Sequence, residues 1–383
     1  MGLYLDAPSL IPTMNPIDQL GTVVRRRGPL DRTLAALARG RLTVGFVGGS
    51  ITSAQKGARW PAPLVGWLAD AFPNARIVVE NIAIGATGSD LAALRVQSGI
   101  IARGCDLVFV EYAANDYGEP TARRTRTREG LLRQLLGDGT RDVVITYTYV
   151  PEMQADMFAG VVPSTIAEFE ALAERYRLNS VWMALHALRE VERGLMTWEE
   201  WLPDAIHPEN RGSLSYAQSV TAFLAEALAP AAGSAATPPA TALPPPSVPG
   251  AWEKIRLLPL SMPETTGPWT VQRWETCHGI DRVLLCTAPG AGLRFSFSGR
   301  GLVLAFDFGR SAGEIRYRVD GGEWRVSQRD CPAWANDLGW LRPLLVDEDL
   351  APGSHRFELE TLPGATAACR GTRTALGLIG VIE

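Results

Sequence analysis

The sequence predicts an α/β protein: a three-layer α/β/α domain built on a parallel sheet, followed by an all-β sandwich of jelly-roll type. Three observations predict this. Short apolar runs rich in β-branched residues alternate with helix-like stretches through the first part of the chain. The period then changes to strand-like alternation punctuated by Gly-rich turns. Between the two lies residues 229–250, APAAGSAATPPATALPPPSVPG, which carries no charge and is dominated by Pro and Ala. Such a run buries no core and resists both helix and ladder, so it reads as a semi-rigid linker.

In the first part, strands are expected at 42–47 (LTVGFV), 75–80 (ARIVVE), 107–112 (LVFVEY) and 143–149 (VVITYTY), with a short fifth near 180–183. Helices are expected at 62–72, 89–102, 127–136, 164–177 and 211–228, the last with Asn210 as its N-cap. Continuous apolar strands between helices indicate a parallel sheet covered on both faces. In the last part, strands at 293–297, 302–308, 314–319, 355–361 and 376–382 are separated by Ser-Gly, Asp-Gly-Gly and Pro-Gly turns. The expected organisation is therefore 1–228 (core 42–228), linker 229–250 and 251–383.

A chain of 383 residues, 46% hydrophobic and 20% charged, fits two globular domains. Its formal charge of −4 provides no electrostatic footprint for nucleic acid, and no run approaches the ~20 apolar residues of a membrane helix. The first twelve residues have no basic start leading into an apolar run, so no secretory signal and a cytoplasmic location are expected. Five cysteines, at 105, 277, 286, 331 and 369, suit reduced buried thiols better than a disulfide framework. Cys277, His278 and Cys286 match no metal-ligand spacing, so neither metal nor cofactor is expected. The run Arg123 to Arg128 (RRTRTR) reads as a solvated loop before a helix. His186 reads as a packing or surface residue, and His278 and His355 show no evident partner.

Four segments at successive strand ends carry the chemistry. The first strand ends in Gly48-Gly49-Ser50-Ile51-Thr52, where two glycines allow a sharp turn that presents Ser50 at the carboxyl edge of the sheet. The second is followed by Gly85, the third by Asn115-Asp116, and Asp204-Ala205-Ile206-His207 stands near the end of the domain. Strand ends of one parallel sheet converge on one rim, so Ser50, Gly85, Asn115 and His207 can meet there. In these four blocks, from about Thr43 to Leu224, the chain resembles the SGNH hydrolases, also called GDSL esterases, which carry Ser, Gly, Asn and His in this order on a flavodoxin-like sheet. It departs from their usual Gly-Asp-Ser in having Gly49 before the serine.

The resemblance implies a serine esterase acting on small acyl esters of a carbohydrate or other hydroxylated compound. Ser50 would be the nucleophile, His207 its base and Asp204 the partner that orients the imidazole. The Ser50 and Gly85 backbone N–H groups and the Asn115 amide would form the oxyanion hole. Thr52, Trp60 and Asp116 are candidates for contact with substrate. The sandwich could extend the cleft, bind glycan (Trp252, Trp269, Trp274, Trp324, Trp334 and Trp340) or mediate self-association. Two other functions compete: an acyltransferase using the same residues with an alcohol acceptor, and a nucleotide-binding α/β protein with GFVGGS as a phosphate turn. The latter lacks both G-x-G-x-x-G and the Walker lysine.

Overall fold

In the computed structural model of the protein, residues 15–53, 59–229, 242–275, 277, 279–327, 332, 335, 339–366 and 369–383 are described. His278, Cys331, Trp334 and residues 230–241 of the expected linker lie outside them. The first sheet contains β1 (Val24–Arg25), β2 (Arg41–Gly48), β3 (Arg76–Asn81), β4 (Leu107–Glu111), β5 (Asp142–Thr146) and β6 (Asn179–Val181). Their spatial order is β1-β6-β5-β4-β2-β3. Strands β2 to β6 pair in parallel, and β1 adds an antiparallel edge on β6. Every residue of β4 is buried, as expected of a strand covered on both faces.

The helices are α1 (Asp31–Ala38), α2 (Pro61–Ala71), α3 (Ser89–Val96), α4 (Thr121–Leu136), α5 (Gln154–Phe158), α6 (Ser164–Arg175), α7 (Met183–Glu192), α8 (Trp198–Trp201) and α9 (Asn210–Ala227). Helices α3, α4 and α6 pack side by side in one layer; α2, α9 and α7 pack together in another. Because β2 lies between β3 and β4, the chain leaves it in one direction and later crosses back. The carboxyl ends of β2 and β4 therefore flank the switch point where open α/β sheets place their ligands.

The sandwich comprises β7 (Ile255–Leu257), β8 (Glu264–Thr266), β9 (Thr270–Arg273), β10 (Arg282–Cys286), β11 (Gly292–Gly299), β12 (Gly301–Asp307), β13 (Glu314–Val319), β14 (Arg325–Val326), β15 (Leu341–Asp347), β16 (Gly353–Leu362) and β17 (Thr374–Ile382). One antiparallel sheet has the order β15-β12-β17-β10-β9, with β7 on β17; the other is β14-β13-β16-β11-β8. On β11, Leu293, Phe295 and Phe297 point into the core while the intervening residues face solvent. Strand β12 is buried at every position. Its outer face, with Val303 and Ala305, packs with Ile382 against Ile84, Leu91 and Leu94 around α3. The sandwich is thus seated on the α/β unit through an apolar interface.

Several details differ from or add to the sequence expectations. Strand β1 falls outside the expected strands, since two residues on an edge leave no periodic signal. The arginine run 123–128 lies inside α4, with Arg124 and Arg128 buried, because carboxylates of other segments neutralise it. Asn210 is the first residue of α9, and no side chain caps that end. Residues 242–250 are docked on the α/β unit: Ser247 N and Oγ and Val248 N donate to the Glu129 carboxylate at 2.7–3.1 Å, and Arg133 donates to Pro244 O. Gly130 of α4 is required just beyond this strap, because a Cβ there would lie 2.4 Å from the Trp252 backbone.

Among the described residues, Cys105, Cys277, Cys286 and Cys369 are buried and no disulfide joins them. No helix among them is long and apolar enough to cross a membrane.

Candidate active site

Strand β2 ends at Gly48, and the chain turns back at once: the N–H groups of Thr52 and Ser53 both donate to Gly49 O. This turn lifts Ser50 to the carboxyl rim, half-buried, while Ile51, Thr52 and Ser53 sink into the core. His207 arrives from the other end of the domain, on the loop between α8 and α9. Asp204 builds that loop locally. Its Oδ1 accepts from Ile206 N at 3.0 Å and His207 N at 2.6 Å, with Ala205 between them at a left-handed φ of +69°. Its Oδ2 lies 2.7 Å from His207 Nδ1. Arg59 donates to Pro208 O and ties the loop to the segment leading into α2.

His207 Nε2 lies 2.7 Å from Ser50 Oγ. With Asp204 accepting the Nδ1 proton, Nε2 carries the lone pair and can accept from the hydroxyl. Burial pushes the Asp204 carboxyl up, but hydrogen bonds from the His207 backbone and ring and from Ile206 N outweigh it and lower it to about 2. It is therefore ionised at any ordinary pH and favours an imidazolium when one forms. Ser50, His207 and Asp204, contributed by segments 157 residues apart, form a continuous hydrogen-bonded chain.

Gly85 and Asn115 border the same place. The Gly85 Cα faces Ser50, so that a Cβ added there would meet Ser50 Cβ at 3.4 Å. The Asn115 amide lies directly over Gly49, where a Cβ would be 1.9 Å from Asn115 Oδ1. The absence of a side chain at position 49 is what makes room for that amide. The departure from Gly-Asp-Ser thus has a steric reason in this chain.

The three candidate substrate contacts are otherwise engaged. Thr52, Trp60 and Asp116 are 0%, 0% and 1% exposed. Trp60 Nε1 donates to Thr52 Oγ1, and its ring packs edge-on against Phe46 and Phe109. Asp116 accepts from Ser89 N at the start of α3 and from Arg128 Nε at 2.8 Å. All three hold the site from beneath and offer no face to a ligand. His355, expected to lack a partner, stands on β16 of the sandwich and is bonded to Asp320 at 2.6 Å.

A buried acid, which in the sequence reads only as the end of the third strand, lies at the same site. Glu111, at the end of β4, is wholly buried under the serine turn. It accepts from Thr148 Oγ1 at 2.7 Å, Thr52 Oγ1 at 3.1 Å and, more weakly, Gly49 N at 3.4 Å. Burial pushes its carboxyl up to about 7 against the pull of those hydrogen bonds. Its signal in the sequence was an acid closing an otherwise apolar strand, LVFVE.

The arrangement can activate a hydroxyl for attack on an electrophilic carbon and return a proton to a leaving group. Among the described residues, no cluster of three His, Cys, Asp or Glu side chains could hold a metal ion.

No protein-family model matches the chain, and no curated protein matches it by sequence. Solved structures do match its fold. A crystal structure of a two-domain esterase active on acetylated mannans superimposes with a TM-score of 0.77 at 19% identity, over 95% of this chain and 98% of that one. The same kind of esterase co-crystallised with mannopentaose gives a TM-score of 0.75 at 19% identity, over 95% and 97%. The match runs through both the α/β unit and the sandwich, so the two-domain architecture is shared as a whole.

Proposed function

We propose that the protein is a serine esterase of the SGNH type that removes small acyl groups, acetate foremost, from a hydroxylated carbohydrate. The observation that carries this reading is the pair of 2.7 Å contacts linking Ser50 Oγ to His207 Nε2 and His207 Nδ1 to Asp204 Oδ2 at the switch point of the sheet. The carbohydrate preference draws support from the mannan esterase, whose two-domain fold this chain shares.

In this reading His207 Nε2 takes the Ser50 proton as Oγ attacks the ester carbonyl. The carbonyl π pair moves to oxygen and a tetrahedral oxyanion forms. The Ser50 and Gly85 N–H groups and the Asn115 amide are the donors aimed at that oxygen, each worth roughly 2.7–4 kcal/mol in such sites. Collapse breaks the bond to the leaving alcohol, which receives the proton from His207. Water, deprotonated by the same imidazole, then attacks the acyl-Ser50 ester; collapse breaks the acyl–Oγ bond, His207 returns the proton to Ser50 Oγ, and the acid leaves and ionises to carboxylate. Asp204, ionised throughout, stabilises the imidazolium in both halves.

The test is a panel of 4-nitrophenyl esters of increasing chain length beside acetylated manno- and xylo-oligosaccharides, assayed with the wild type and Ser50→Ala. Ester hydrolysis that is fastest for the shortest acyl groups, with acetate released from the acetylated oligosaccharides, is expected, and both are lost in Ser50→Ala. Comparable turnover in the two proteins would remove the assignment.

A further inference from the structure

The loop that carries Gly85 is held from two sides. On the serine side, Ile82 N and Ile84 N donate to Phe46 O and Gly48 O at 3.0 and 3.1 Å. On the other side lies the sandwich. Ile84 is buried in the apolar interface with it. Arg95 donates to Ile82 O at 2.7 Å and, across the interface, to Gly279 O at 3.3 Å. Trp340 Nε1 donates to Ala86 O at 2.9 Å, joining residues 254 positions apart.

Ala86 directly follows Gly85 and has a φ of +55°. A non-glycine residue in this left-handed region is strained by roughly 1–3 kcal/mol, and such a conformation persists only where its surroundings over-determine it. Glycine would adopt it freely; alanine depends on an external hold. Trp340 can supply one because it is itself anchored. Its carbonyl accepts from Phe308 N at 3.0 Å, Arg342 stacks 4.3 Å from its ring centroid, and the next residue, Leu341, is buried at the start of β15.

Resting on the esterase reading above, we infer that Trp340 is a positioning residue: through its indole N–H the sandwich fixes the Ala86–Thr87 peptide, and Thr87, whose Oγ1 donates to Ile84 O at 2.8 Å, carries that hold to the Ile84–Gly85 peptide and so to the direction of the Gly85 N–H. It acts through the loop and touches no reacting atom. The N–H it aims is useful only once the carbonyl oxygen has become an oxyanion. Its loss therefore falls on kcat and leaves KM in place.

The full chain carrying Trp340→Phe, which keeps a ring and removes the donor, tests this on 4-nitrophenyl acetate. A fall in kcat of about 10- to 100-fold is expected, since small misplacements at a reacting centre cost up to that much. KM should stay within about twofold, by the same partition of ground-state and transition-state binding. The inhibition constant of phenylboronic acid, which forms a tetrahedral adduct on serine, should rise with the loss in kcat. Adding Ala86→Gly should restore part of kcat, because glycine needs no hold at that φ. Ala86→Val leaves the sandwich untouched and burdens the same turn, so it should reproduce the loss even where Trp340→Phe folds poorly. Wild-type kcat and boronate inhibition in folded Trp340→Phe would overturn the inference while leaving the esterase reading intact. A raised KM at unchanged kcat would also overturn it, making Trp340 a substrate contact. A wild type that hydrolyses no ester would overturn the esterase reading itself.

Discussion

Gly49 and Asn115 interlock: the amide of Asn115 occupies the volume that a side chain at position 49 would need, 1.9 Å from Oδ1 to the nearest possible Cβ. Neither residue can therefore be understood without the other. Gly49→Ala should displace the Asn115 amide and lower kcat by about 10²–10³, the cost of losing one oxyanion donor. Asn115→Ala should cost about the same. The double variant should be no worse than either single, because the clash and the donor vanish together. A double-mutant cycle on kcat checks this, and additive losses would separate the two residues.

Asp116 is buried against Arg128 and the start of α3, so removing it strands a cation. Asp116→Ala should destabilise the protein by about 3–5 kcal/mol, as loss of one partner of a buried pair does. A drop in the urea midpoint with KM unchanged is expected. A raised KM at unchanged stability would restore Asp116 as a ligand contact.

Asp204 presents the opposite case, with a side chain 57% exposed. Asp204→Ala should cost about 1–2 kcal/mol of stability, since the loop loses the carboxylate that accepts from Ile206 N and His207 N, while lowering kcat by about 10⁴, as loss of a triad carboxylate can. Thermal melting and ester hydrolysis measured on the same preparation test both halves.

Glu111 makes stability depend on pH. Its folded carboxyl stands at about 7 against an ordinary 4.5, because burial disfavours its charge. Below about 4.5 both folded and unfolded chains hold the proton. Between 4.5 and 7 the unfolded chain releases it first, so this group erodes stability as pH rises, and the erosion is complete above 7. The stability of Glu111→Gln relative to wild type should therefore climb across that window and stay flat above it. Denaturant titrations at several pH values measure this, and a difference independent of pH would contradict it.

What the sequence made legible follows from what is local. LTVGFV and LVFVEY read as buried strands because composition and length suffice, and GGSIT reads as a rim turn because two glycines follow an apolar run. His207 with Asp204 was legible through the resemblance, whose last block has the acid three residues before the histidine. Illegible features depended on distant partners. RRTRTR reads as solvated until Asp116 and Glu168 are folded onto it. Thr52 and Trp60 read as candidate pocket residues, whereas they bond to each other under the serine turn. The contact from Trp340 to Ala86 spans both domains and leaves no periodic trace. The docked strap at 242–250 has a linker's composition, and only the Glu129 carboxylate on α4 gives its backbone donors a destination.

That Ser50 is a nucleophile driven by His207 is checked by treating wild type, Ser50→Ala and His207→Ala with a fluorophosphonate and locating the adduct by mass spectrometry. One phosphonyl group on the Ser50 peptide of the wild type is expected, absent in Ser50→Ala and slowed by orders of magnitude in His207→Ala. An unlabelled wild type, or equal labelling of all three proteins, would contradict the account.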